Sequence, residues 1–343
     1  MDEGMMGGAV YAQTNEPQNQ LLVFSRADDG SLTRLGETLT GGAGDGKPHL
    51  TSQASVVLTT DGGHLLVTNV ASDDVSVFRI TGMVPELIQR VGSGGSAPKS
   101  VAERDGLVYV LNTGKPGVNG FRLTEMGLEP VVGAEHMLSA ANADGAQVGF
   151  SPDGSTLVIT DRATDSILAF AVGSDGGLGE MRVTPSSGPT PYGFAFTSRG
   201  ALVVTEAFRA GKGEAAASSY LLRDGALVPV TRSLGNGRSE ICWVVVTPDD
   251  RYAFTTNFAD GAVSRYAIAT DGSLTLEDAA AGLTEDGRPG LRDEDLSGDG
   301  RFLYAIDADQ GAIVGWAVGE GGSLRPIGSR GGLPTTIAGL AAS

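Results

Sequence analysis

One cysteine, Cys242, stands in 343 residues, which excludes an intrachain disulfide and any cysteine-based zinc site. Histidine is almost as scarce: His49, His64 and His136 lie far apart and form no spaced metal-ligand cluster, so no cofactor is implied. Positive charge is short as well. The chain has 24 Lys and Arg against 41 Asp and Glu, a formal charge of −17 with no basic cluster to offset it, and a phosphate backbone would be repelled. Apolar runs never approach the ~20 residues that span a bilayer, and the start, Met1-Asp2-Glu3-Gly4-Met5-Met6, carries no basic region ahead of an apolar one. The expectation is a soluble, cytoplasmic protein with neither nucleic acid nor membrane as partner. An exported protein whose signal has been removed stays open as an alternative, and the sequence does not reveal an oligomeric state.

What is abundant is glycine, 52 residues, with 41% hydrophobic residues. Many tight turns around a sizeable core follow from that pairing. An aromatic residue closing a short apolar strand recurs seven times, at Phe24, Phe78, Phe121, Phe170, Tyr220, Tyr266 and Trp316, and most copies are followed by a turn such as Asp-Gly-Ser-Leu. Upstream of it lies a hairpin register, seen in Phe150-Ser151-Pro152-Asp153-Gly154 leading to Leu157-Val158-Ile159-Thr160-Asp161, and again around Thr247-Pro248-Asp249-Asp250. No amphipathic helix interrupts the pattern. Four short antiparallel strands every ~45–50 residues describe a β-propeller blade, and seven copies predict an all-β, seven-bladed propeller. The first unit begins at its second strand, Ala9-Val10-Tyr11-Ala12, and residues 335–341 are left over at the other end. Pairing the two would close the ring without an open seam, making residues 1–343 one domain.

These stretches, together with Gly188-Pro189-Thr190-Pro191-Tyr192-Gly193-Phe194 and Asp299-Gly300-Arg301-Phe302-Leu303-Tyr304, resemble the lactonase-type seven-bladed propellers, which include propeller-type 6-phosphogluconolactonase and carboxymuconate lactonizing enzyme. The resemblance implies a catalytic histidine, arginine and glutamate on consecutive blades. Glu206, in Val203-Val204-Thr205-Glu206-Ala207, matches the glutamate; the histidine region reads Gly145-Ala146-Gln147-Val148 and the arginine region Pro189-Thr190-Pro191-Tyr192, so both cations are missing.

Strand alternation puts the entries to the inner strands and the exits from the second strands on one face, around the channel mouth. The exits carry Asn15, Asn69, Asn112, Asp161, Glu206, Asn257 and Asp307; the inner strands, aligned on their turns, carry Ser55, Lys99, Gln147, Gly193, Trp243 and Asp293. Short Asn and Asp side chains commonly cap turns. Glu206 is longer than such a cap and is the candidate acid/base. Lys99 and Arg292 are candidates for holding an anionic substrate or a developing oxyanion. Trp243 and Tyr192 offer a flat wall, Gln147 and Asn257 are polar lining, and His49 enters from the loop ahead of blade two. In Arg292-Asp293-Glu294-Asp295, alternation sends Asp293 and Asp295 to one side and Glu294 to the other. Gly41-Gly42-Ala43-Gly44-Asp45-Gly46-Lys47 imitates a phosphate loop but is followed by Pro48 and a strand, and the acids at 293–295 lack the twelfth-position Glu of a calcium loop. The partner expected at the mouth is a small molecule: a cyclic ester or carboxylated metabolite that is hydrolysed, lactonised or isomerised. A non-catalytic propeller binding a ligand or protein through the same face is the rival expectation.

Overall fold

The computed structural model describes residues 7–48 and 50–343. They form seven four-stranded antiparallel sheets arranged as the blades of a propeller, with only three-residue 3-10 turns as helix. Blade one takes its innermost strand, Ala338–Ala342, from the C-terminal end, paired antiparallel with Gly8–Gln13. The strand assigned to residues 335–341 thus begins three residues later than expected, after a turn at residues 335–336. Arg26, buried, secures the seam by donating through Nε and Nη2 to the carbonyl of Ser343, whose own amide bonds Ala9 O at 2.9 Å.

Turn chemistry sets the hairpin between inner and second strand. In four blades a Ser or Thr hydroxyl bonds an Asp two residues on, each at 2.6 Å: Thr59 to Asp61, Ser151 to Asp153, Thr247 to Asp249, and Ser297 to Asp299. The same carboxylates accept the amide two residues further along, which closes the turn.

The aromatic column explains its own period. All seven members are at most 2% exposed, and each packs on the blade before its own: Phe78 on Tyr11 and Leu21, Phe170 on Tyr109, Tyr266 on Val203, Trp316 on Phe254, and Phe24 on Tyr304 across the seam. A wedge of space opens between neighbouring blades at this radius, and one large ring per blade fills it. Much of the apolar core therefore lies between neighbouring blades.

Candidate functional site

Besides the closing strand of blade one, which bulges at Gly339, five inner strands open with a β-bulge at the mouth. The bulged residues are Lys99, Ala146, Tyr192, Cys242 and one of the pair Arg292 and Asp293. A bulge re-aims side chains that strict alternation would bury. It also corrects the inner-strand column: in blade three Ser100, not Lys99, is level with Gln147 and Trp243, and Lys99 stands one step nearer the mouth.

The polar residues at the second-strand exits have a common task, which is to pin the connector arriving from the preceding blade. Asn69 accepts from Asn19 Nδ2 and Thr40 Oγ1, Asn112 from Ser93 Oγ, and Asp161 from the Asp144 amide. Asn257, a candidate ligand contact from the sequence, accepts from Asn236 Nδ2 and donates to Ser264 Oγ and Ala262 O, which ties blade six to the incoming connector. In blade one the exit position falls at Thr14, whose amide bonds Gln20 O; Asn15 lies one residue beyond, at φ 53°.

Glu206 belongs to this set. Its Oε1 accepts the Gly188 amide at 2.9 Å and Ser218 Oγ at 2.5 Å, and its Oε2 accepts Ser233 Oγ. Ser218 and Ser233 lie on the two outer strands of blade five, Ala216–Arg223 and Ala226–Gly235. The side chain is fully buried and turned away from the axis, where the expected acid/base would have faced the mouth. Its extra length serves to span from the connector to those strands. Gln147 also leaves the mouth: its carboxamide bonds both the amide and the carbonyl of Phe194, at 2.6 and 3.0 Å, tying blade four to blade five. His49 lies outside the described residues.

Lys99, Tyr192, Trp243, Arg292 and Asp293 do come together. Tyr192 and Trp243 meet edge to face at 5.4 Å in a buried cluster with Ala146, Ala207 and Cys242. Arg162, which the sequence reading passed over, sits above Tyr192 at 5.1 Å from the ring, and Arg292 sits above Phe258 at 5.0 Å. Arg162 pairs with Asp144, and Arg292 approaches Asp309 at 3.8 Å. Arg162 immediately follows an exit residue, as Ala207 and Phe258 do; that register was the signal available for finding it.

Electrostatically the cluster is poised. Burial lowers the pKa of Lys99, whose Nζ donates to Thr51 Oγ1 at 2.9 Å, and lowers that of Arg292. Burial drives Tyr192 well above its usual value. It also pushes the Asp293 carboxyl up to about 7, although bonds from the Gly339 amide and the Trp243 indole favour ionisation. Among the described residues, Nε of Arg162, Nε and Nη1 of Arg292 and the Tyr192 hydroxyl are buried without a hydrogen-bond partner. Each such group costs about 1–3 kcal/mol unless an acceptor arrives. The arrangement suits an anion held by buried guanidinium N–H groups, near a carboxyl able to exchange a proton near neutrality. Alternation at 293–295 is as expected: Asp293 and Asp295 accept the Gly339 and Ala342 amides of blade one, while Glu294 accepts the Thr256 amide of blade six. Among the described residues there is no group of His, Cys, Asp and Glu able to hold a metal, and no helix long and apolar enough to cross a membrane.

The family model described as lactonase, seven-bladed β-propeller, matches residues 7–125 and 103–207. No curated protein matches the sequence. Among solved structures, a proposed 6-phosphogluconolactonase of Bacteroides fragilis is 17% identical, with a TM-score of 0.78 over 99% of each chain. A periplasmic gluconolactonase of Pseudomonas aeruginosa is 16% identical, with a TM-score of 0.75 over 97% of this chain and 98% of its own. At such identities the likeness establishes the shared fold, while the family match rests on the sequence itself. The chain belongs to the lactonase family of seven-bladed β-propellers.

Proposed function

We propose that this propeller hydrolyses a small anionic lactone at the channel mouth. The observation that carries the reading is the set of unpartnered, buried guanidinium N–H groups of Arg162, over Tyr192, and of Arg292, beside Asp293. The names of the two related structures, a 6-phosphogluconolactonase and a gluconolactonase, favour sugar lactones as the substrate class.

In this mechanism the substrate's phosphate or carboxylate accepts from the arginine N–H groups. Ionised Asp293 takes a proton from water, and the water oxygen attacks the lactone carbonyl. The developing oxyanion is stabilised by Lys99 or a guanidinium N–H. As the tetrahedral intermediate collapses, the ring C–O bond breaks and Asp293 returns the proton to the leaving alkoxide, giving the open-chain hydroxy acid. The acid/base role assigned to Glu206 from sequence passes to Asp293, because only the latter lies in the cluster.

The test is hydrolysis of 6-phosphogluconolactone and gluconolactone by the wild type and by Asp293→Asn, Arg162→Met and Glu206→Gln. Asp293→Asn is expected to lower kcat about 100-fold or more, and Arg162→Met to raise KM for the phosphorylated substrate chiefly. Full turnover by Asp293→Asn would remove the mechanism. A second reading, ligand binding without turnover, is favoured by the hydrogen bonds that Thr51 and Ser52 make with Lys99 and Trp243; wild-type binding of 6-phosphogluconate with no hydrolysis of any lactone would select it.

A further inference from the structure

The segment 50–54, which leads into blade two, crosses the mouth and makes polar contacts with blades three, four and six. Ser52 Oγ donates to Lys99 O at 2.7 Å, and Lys99 Nζ reaches Thr51 Oγ1. The Gln53 amide bonds Ala146 O at 3.1 Å. The indole N–H of Trp243 donates to Ser52 O at 2.9 Å. Leu50 is buried against Val70 and Ala338. Gln53 then extends its side chain to the inner strand of blade six, where Nε2 donates to Val244 O at 2.8 Å and Oε1 accepts the Val244 amide at 3.2 Å.

This bidentate grip repeats the one that Gln147 makes on Phe194. Gln147 belongs to a strand of the ring, but Gln53 belongs to a loop whose residue 54, an alanine, holds φ at 65°. Space for the Gln53 carboxamide exists because residue 193 is glycine: a Cβ there would overlap Gln53 Oε1. The oxygens that this segment presents are those that a lactone would present. Thr51 Oγ1 lies on the Lys99 ammonium as a substrate hydroxyl would, and the Ser52 carbonyl lies on the Trp243 N–H as an ester carbonyl would.

We infer that residues 50–54 are an autoinhibitory plug that occupies the ligand's place in the mouth, and that Gln53 is its latch. The inference rests on the proposed site at the mouth but not on its being catalytic. Ligand and plug compete for Lys99 and Trp243, so a ligand binds only to the fraction of molecules with the plug released, and its affinity is reduced by that fraction. Gln53 is a positioning residue, since it acts through the segment it holds.

The experiment compares wild type with Gln53→Ala in three measurements. Amide hydrogen exchange should be roughly tenfold faster at Val244 in the variant, the loss expected for one latch, while the Phe194 amide held by Gln147 stays unchanged. Calorimetry with 6-phosphogluconate should show tighter binding to Gln53→Ala. Hydrolysis of 6-phosphogluconolactone should show a lower KM with kcat little altered. Unchanged exchange at Val244, or equal acceleration at Val244 and Phe194, would overturn the latch. Faster exchange at Val244 with no gain in 6-phosphogluconate affinity would overturn the competition. If neither protein hydrolyses any lactone, the proposed chemistry fails, and exchange with calorimetry alone still decides the plug. Gln53→Glu is the companion variant: it keeps the size, loses the donor to Val244 O, and should fall on the same side as Gln53→Ala.

Discussion

The amide of Gly339 donates to the carboxylate of Asp293 across the seam between blades one and seven. Gly339 lies at a bulge in the closing strand, at φ 63°, where the pairing with Gly8–Gln13 slips by one residue. The bulge frees an amide from the ladder, and the neighbouring blade supplies its acceptor. Asp295 repeats the contact one turn of the pleat further along, on the Ala342 amide at 2.9 Å. The ring is therefore closed by strand pairing on one side of the C-terminal segment and by buried carboxylates on the other.

Stability should fall as pH rises through neutrality. Burial pushes Asp293 and Asp295 each up to about 7, and it also raises Glu294 well above the usual carboxyl value. An unfolded carboxyl titrates near ~4, so the folded state binds more protons; the stability contributed is complete below about pH 4 and is lost as pH passes about 7. Tm measured at pH 5, 7 and 9 should decrease along the series. Asp295→Asn should raise Tm at pH 9 relative to wild type and do little at pH 5.

Glu206→Ala should destabilise by about 3 kcal/mol or more, because the Gly188 amide and the hydroxyls of Ser218 and Ser233 lose their buried acceptor together. Urea unfolding checks the magnitude. Activity per folded molecule should survive Glu206→Gln, which retains one acceptor oxygen.

Deleting residues 338–343 should cost more than any point substitution. It removes the inner strand of blade one, exposes the edge of Gly8–Gln13 and leaves buried Arg26 without the Ser343 carbonyl. Loss of cooperative thermal unfolding and concentration-dependent association in sedimentation are the expected outcomes.

Cys242 should resist alkylation. It is buried beneath the mouth, and desolvation pushes its thiol well above the ordinary value, so little thiolate forms. Iodoacetamide at pH 8 should label native protein far more slowly than protein in denaturant; equal rates would show that the cluster of Tyr192, Cys242 and Trp243 is open to solvent.

Legibility followed the range of the forces involved. The Asp-centred hairpin turns and the recurring aromatic act within one blade or between adjacent ones, so a period in the sequence reports them directly. Lys99, Tyr192, Trp243, Arg292 and Asp293 were readable as a group because each sits near a repeated landmark. The position of Glu206 in the repeat was visible, but the direction of its side chain was set by Ser218 and Ser233, which no period marks. Arg162 and residues 50–54 were missed because their partners, Tyr192 and Val244, lie one and three blades away around the ring.

The amino-acid order by itself determined seven units, the turn in each and the exchange of a strand between the two ends, since these depend on local hydrogen bonding and on a wedge that every blade must fill. Tertiary structure alone decided which polar groups face the axis. Bulges at the inner-strand entries rotate the side chains that follow them, and burial then sets which of the many acids, Asp293 among them, holds its proton near neutral pH.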